Sequence, residues 1–212
     1  MLLLPLALVE AQSESRWQQA MDRFEVLDRD SPPAAGGVLF LGSSSIRRWD
    51  LERWFPGSDV TNRGFGGSQI ADSVRHFDRL VVPHRPRSIF FYAGDNDIAA
   101  GKTAEEVAAD FASFTDLVRS HFPKTKVWFV AIKPSLARWQ LWPVMAEANR
   151  RIAAACKSDP RLAYVDVATP TLGADGRPLA EIFVDDGLHL NDAGYQIWTD
   201  IVAPLLVEPS DS

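Results

Sequence analysis

Residues 37–45, Gly37-Val38-Leu39-Phe40-Leu41-Gly42-Ser43-Ser44-Ser45, decide the fold class. Val38 to Leu41 is an unbroken apolar run, which reads as a strand buried on both faces. The glycine and serines behind it end that strand in a tight turn. Outward from this point, short β-branched or aromatic runs alternate with longer stretches of helical spacing. Upstream, 13–27 carries Trp17, Ala20, Met21, Phe24 and Leu27 on one helical face, and Ser31-Pro32-Pro33 breaks the chain before the strand. Downstream, further strands are predicted at 59–61, 88–93, 126–132 and 162–167. Helices are predicted over 70–80, 103–121, 144–157 and 191–206. Thr103, with Glu106 three residues on, has the spacing of a capping box. Strands that alternate with helices make an α/β fold: a three-layer α/β/α, flavodoxin-like, five-stranded parallel sheet. In such sheets ligands collect at the carboxyl ends of the strands.

A chain of 212 residues suits one domain, placed at 13–212. Hydrophobic residues make up 46% and charged residues 24%, which argues against disorder. The formal net charge of -6 supplies no basic footprint for nucleic acid. Cys156, the single cysteine, excludes an intrachain disulfide and lies in an Ala-rich run that reads as a packed helix face. Residues 1–12 open with Met1-Leu2-Leu3-Leu4-Pro5-Leu6-Ala7-Leu8-Val9, too short to span a bilayer. They resemble the apolar core of a secretory signal, with Val9-Glu10-Ala11 as its cleavage site but without a basic lead. The readings are a signal remnant, with export to the periplasm or medium, or a ragged end on a cytoplasmic protein; the first is favoured.

Four segments at the strand ends can carry chemistry. Gly42-Ser43-Ser44-Ser45 offers hydroxyls and backbone N–H groups at a strand tip, suited to a nucleophile and an oxyanion hole, and equally to a plain turn or a phosphate nest. Asn62-Arg63-Gly64-Phe65-Gly66-Gly67-Ser68 permits close backbone approach to a ligand, or simply a tight turn. Gly94-Asp95-Asn96-Asp97 can cap a helix or aim the Asn96 amide at a developing oxyanion. In Asp185-Asp186-Gly187-Leu188-His189-Leu190-Asn191, a carboxylate three residues before a histidine can orient one ring nitrogen while the other faces a nucleophile. The remaining histidines, His76, His84 and His121, read as helix-surface or turn positions with no acidic partner in sequence.

In order and spacing the four segments resemble the SGNH hydrolases, the GDSL-like lipases and esterases, over about 38–206. Members carry a serine block, a glycine block, G-x-N-D and D-x-x-H in that sequence. The resemblance implies Ser44 as nucleophile, with Asp186 and His189 completing a triad. It further implies an oxyanion hole made by Ser44, Gly67 and Asn96. No cofactor or metal is called for. One departure is plain: Ser43 stands where the family's G-D-S carries aspartate.

The implied activity is hydrolysis of short acyl esters, acetyl groups on small molecules or carbohydrates first, through an acyl-enzyme. Arg138 and Trp139, past the fourth strand, are candidate substrate contacts; Arg138 could instead pair with Glu147 or another acid. Trp49, Trp54 and Trp142 could line a sugar or acyl site or belong to the core. Three alternatives stand beside this reading. One is a lysophospholipase-type esterase of the same family. Another is a metal-dependent phosphohydrolase built on Asp95, Asp97, Asp185, Asp186 and His189. The last is a non-catalytic carbohydrate-binding domain.

Overall fold

A computed structural model describes residues 6–33 and 35–206, with side chains from Trp17 onward. In chain order the elements are α1 (Leu6–Asp30), β1 (Val38–Gly42), α2 (Ser44–Arg47), α3 (Leu51–Trp54), β2 (Val60–Gly64), α4 (Ile70–Arg75) and α5 (Phe77–Leu80). There follow β3 (Ser88–Tyr92), α6 (Asp95–Ala99), α7 (Ala104–His121), β4 (Lys126–Val130), α8 (Trp142–Cys156), β5 (Leu162–Val165) and α9 (Asp192–Val202). The strands form one parallel sheet in the order β2-β1-β3-β4-β5. This is the three-layer, flavodoxin-like arrangement expected from the sequence.

Alternation along each strand builds two cores, because successive side chains leave a strand on opposite faces. Leu39 and Leu41 of β1 point to the face that also holds Phe91, Phe111, Phe114, Phe129 and Ile152. Val38 and Phe40 point to the other, against Phe90, Trp49, Trp198 and Val202. Every residue of β1 and β3 is buried, so neither strand shows a polar stripe. Trp49, at 1% exposure, is a core residue packed edge-on to Phe40 and Trp198 and stacked on Tyr195, not a site tryptophan.

The differences from the sequence reading are local. The helix at 13–27 begins at Leu6 and runs to Asp30. The predicted helix at 70–80 is two helices that part at His76. Strands β3, β4 and β5 end one or two residues early, because the chain leaves the sheet there to form the site loops. Thr103 and Glu106 do form a reciprocal capping box. Cys156 is buried on α8, and burial pushes its thiol up to about 11. The export reading of residues 1–12 falls on Met1–Pro5, outside the described residues, and on Leu6–Gln12, whose backbone alone is described. Among the described residues no helix is long and apolar enough to cross a membrane.

His84 corrects an expectation. It is buried rather than a surface turn residue, and its Nε2 lies 3.7 Å from the Asp28 carboxylate of α1. Arg63 of β2 forms an ion pair with the same carboxylate, and its guanidinium sits over the Phe24 ring at 5.0 Å. Burial, then the neighbouring Arg63 cation, lower the His84 imidazole to about 4. The pairing was invisible in sequence because its members come from three separate segments.

Candidate active site

The site is built where β1 stops. Gly42 has φ +138, and a Cβ there would lie 1.8 Å from the Tyr92 carbonyl oxygen, so no side chain fits. The chain can therefore turn against β3, and the Ser43 N–H donates to that same carbonyl at 2.9 Å. Ser43 and Ser45 are 0% and 2% exposed, whereas Ser44, opening α2, is half-buried. Of the three serines, Ser44 is the one turned towards solvent.

The short helix α2 is tied down from two sides. Asn62 Nδ2 donates to the carbonyls of Ile46 (2.7 Å) and Trp49 (3.0 Å). The Tyr195 hydroxyl of α9 donates to the Ser45 carbonyl at 2.8 Å, and Trp49 Nε1 to Thr199 Oγ1 at 3.3 Å. A four-residue helix has little stability of its own, so these contacts fix its position.

The Asp186–His189 loop meets Ser44 from the other side. His189 Nε2 lies 2.9 Å from Ser44 Oγ, and His189 Nδ1 lies 2.6 Å from Asp186 Oδ2. Asp186 Oδ1 also accepts the backbone N–H groups of Leu188 and His189, each at 2.8 Å. The bond from the His189 ring, then the backbone N–H of His189, hold the Asp186 carboxyl well below the usual carboxylate range. An ionised carboxylate on Nδ1 favours the tautomer with its proton there, leaving Nε2 to accept from the Ser44 hydroxyl. Asp185 is exposed, and it is Asp186 that faces the ring.

Gly67 lies in the turn after β2 with φ +78, a conformation that favours glycine. Asn96, in the first turn of α6, reaches the same turn: its Nδ2 donates to the Ser68 carbonyl at 3.0 Å. Its Oδ1 accepts from Arg138 Nη1 at 3.1 Å. The carboxamide is thereby held at both ends, with one Nδ2 hydrogen uncommitted among the described residues. The backbone N–H groups of Ser44 and Gly67 also have no acceptor among the described residues.

Arg138 pairs with an acid other than Glu147: it meets Asp95 at 3.2 Å, while Glu147 is occupied by Arg150 and Arg151. Its visible task is to fix Asn96. Trp139 is half-buried, with the Arg177 guanidinium 5.5 Å from its ring and Trp142 stacked at 6.4 Å. Among the described residues no hydrogen bond or ring contact joins it to Ser44 or His189. Two open clefts lie on the α2–α3 side of the molecule, one of about 710 Å³ bordered by Arg48, Trp54, Val184 and Leu190, the other of about 600 Å³ bordered by Arg47, Phe24, Leu51 and Gly66; neither is lined by Ser44 or His189.

The acids of the phosphohydrolase alternative do not converge. Asp95 serves Arg138, Asp186 serves His189, and the fully buried Asp97 binds Lys102 and the N–H of Ile70. Among the described residues no three His, Cys, Asp or Glu side chains gather as metal ligands would.

This geometry has relatives. Residues 35–197 match the GDSL-like Lipase/Acylhydrolase family. The chain belongs to that family. Its fold is shared with a Streptococcus pneumonia protein provisionally named a platelet activating factor, at 21% identity and TM-score 0.82, covering 95% of this chain and 98% of that one. A GDSL-like lipase from Bacteroides thetaiotaomicron VPI-5482 superposes with TM-score 0.75 at 18% identity, over 88% and 96% of the two chains. A variant of an acetyl-xylooligosaccharide esterase from Geobacillus Stearmophilus gives TM-score 0.65 at 13% identity, over 84% and 97%. At these identities the likeness is one of fold. No curated protein sequence matches. Membership in a GDSL-like acylhydrolase family supports an esterase or acylhydrolase activity.

Within this acylhydrolase the Ser43 departure has a structural setting. Ser43 is wholly buried, and its hydroxyl has no partner among the described residues. Two residues at the site escaped the sequence reading in their roles, Arg138 as the partner of Asn96 and Lys133 beneath the His189 loop. The one signal for Lys133 was a lone cation directly after the apolar run 127–132.

Proposed function

We propose that this acylhydrolase cleaves short acyl esters, acetyl groups on carbohydrates foremost, through an acyl-enzyme on Ser44. The observation that carries the reading is the hydrogen-bonded line Ser44 Oγ–His189 Nε2–Asp186, at 2.9 and 2.6 Å. His189 Nε2 takes the hydroxyl proton as Oγ attacks the ester carbonyl carbon. Collapse of the tetrahedral adduct breaks the bond to the leaving oxygen, which receives the proton from His189. Water then repeats the cycle on the acyl-enzyme, releasing the acid and restoring Ser44.

Asp186 fixes the imidazole and stabilises the imidazolium. The oxyanion meets the Ser44 and Gly67 N–H groups and Asn96 Nδ2; losing one such donor costs about 3–4 kcal/mol in comparable sites. Support for short acyl groups comes from the sequence, which carries no long apolar lid segment. Support for carbohydrate comes from a structural relative named as an acetyl-xylooligosaccharide esterase.

The test is release of p-nitrophenol from acetyl, butyryl and octanoyl esters, with and without EDTA, by the parent and Ser44→Ala. Turnover favouring acetate, indifferent to EDTA and lost in the variant, supports the proposal. A preference for octanoate favours the lysophospholipase-type reading, and full activity in Ser44→Ala removes the nucleophile assignment.

A further inference from the structure

Lys133 is 2% exposed, directly beneath the loop that carries His189. Its Nζ donates to the Leu188 carbonyl at 2.6 Å, and Leu188 immediately precedes His189. The same ammonium lies 5.6 Å from the centre of the Phe183 ring. A buried cation is expensive to desolvate and persists only where the surroundings hold it. Four residues on, the Ala137 N–H donates to the Gly187 carbonyl at 3.0 Å. The segment after β4 thus grips two successive carbonyls of the Asp186–His189 loop, and Lys133 supplies the charged grip. The loop also carries its own turn bonds, Val184 N–H to the His189 carbonyl and Gly187 N–H to the Val184 carbonyl, each at 2.9 Å, but its Asp185 and Asp186 are exposed.

We propose that Lys133 is a positioning residue of the acyl-transfer site, holding the Leu188 peptide so that His189 Nε2 stays within reach of Ser44. The inference rests on the Ser44–His189 reading given above. The charged and titratable groups that face Lys133 are Asp95 on α6, Arg138 on the segment after β4, Asp186 on the loop, and Tyr92 on β3. Burial lowers the amine to about 8, opposed by Asp95, aided by Arg138 and opposed least by Asp186. The grip is therefore at full strength well below pH 8, half lost near 8 and lost above it.

Lys133→Met keeps the stem and removes the donor; Lys133→Gln keeps an N–H donor without the charge. With p-nitrophenyl acetate, Lys133→Met is expected to lose on the order of 10- to 100-fold in kcat with KM within about twofold, because a displacement of about 1 Å costs that much in rate. Lys133→Gln is expected to fall between it and the parent. The parent's kcat should decline in alkali with a midpoint near 8, to a level above that of Lys133→Met. Both variants should lack this limb. Should neither variant fold, the parent alone decides: with ¹³Cε-labelled lysine, one signal should titrate near 8, in step with the kcat limb.

A variant as fast as the parent, a variant that keeps the alkaline limb, or a parent with neither limb nor low-titrating lysine would overturn the proposal. A parent that turns over no ester and binds no fluorophosphonate at Ser44 fails differently: it removes the acyl-transfer reading itself, and Lys133's task with it.

Discussion

The two halves of the site are built differently. Ser44 stands on a platform. Gly42 is wedged against β3, Ser43 and Ser45 are buried, and hydrogen bonds from Asn62 and Tyr195 hold α2 in place. His189 stands on a loop whose Asp186 side chain is 43% exposed. That loop is held by its own Asp186 turn and by the grip of Lys133 and Ala137. A nucleophile that must keep its oxyanion donors in register belongs on a rigid element, whereas the group that shuttles a proton can stand on a loop if its ring is oriented. Changes to the platform should therefore alter stability and activity together, and changes to the loop should alter activity alone.

The largest expected effect falls on the loop. Asp186→Asn should lower kcat by about 10⁴-fold, since an amide favours the wrong imidazole tautomer. Because Asp186 is exposed, the melting temperature should stay within about 2 °C of the parent's. A matching loss of stability would break the division between the halves. Asn96→Ala should lower kcat by roughly 10²- to 10³-fold through loss of one oxyanion donor. Arg138 then loses a partner but keeps Asp95, so KM for p-nitrophenyl acetate should change much less than kcat.

The platform side has a pH signature remote from the chemistry. His84 is held near 4, below its ordinary 6.5, so between these values the unfolded chain binds the extra proton and the native state does not. Stability should thus fall as pH drops from 6.5 to 4, by on the order of 2 kcal/mol. Urea titrations across that window measure the slope, and His84→Asn should flatten it; an unchanged slope would assign it to other groups. Tyr195→Phe removes the bond to the Ser45 carbonyl and should cost about 1 kcal/mol of stability. Its small loss of kcat should accompany the stability loss, as expected for the platform alone.

The three-layer parallel sheet follows from the alternation of apolar runs and helical stretches, because residues such as Val38–Leu41 are satisfied between two helical layers. Ser44, Gly67, Asn96, Asp186 and His189 are legible through the family resemblance, which rests on four short motifs; the structure brings Ser44, His189 and Asp186 within hydrogen-bond reach and ties Asn96 to the turn that holds Gly67. What sequence could not give are pairings between distant segments. Arg138 reads as a substrate contact or a partner of Glu147 or another acid, and its partners are Asn96 and Asp95, from a distant segment. His84 looked like a turn residue and is buried beside Asp28. Trp49 had the position of a site aromatic and is core, since two faces of packing claim it before the solvent does. The short helices α2, α3 and α6 lack the length at which periodicity becomes a signal.

The most direct test of the central claim is the mass of the intact protein after brief exposure to a fluorophosphonate, followed by mapping of the labelled peptide. The account expects one adduct, located on Ser44, formed by the parent, greatly slowed in His189→Ala and absent in Ser44→Ala. An adduct on Ser43, Ser45 or a distant serine, or none at all on a folded protein that hydrolyses esters, would contradict it.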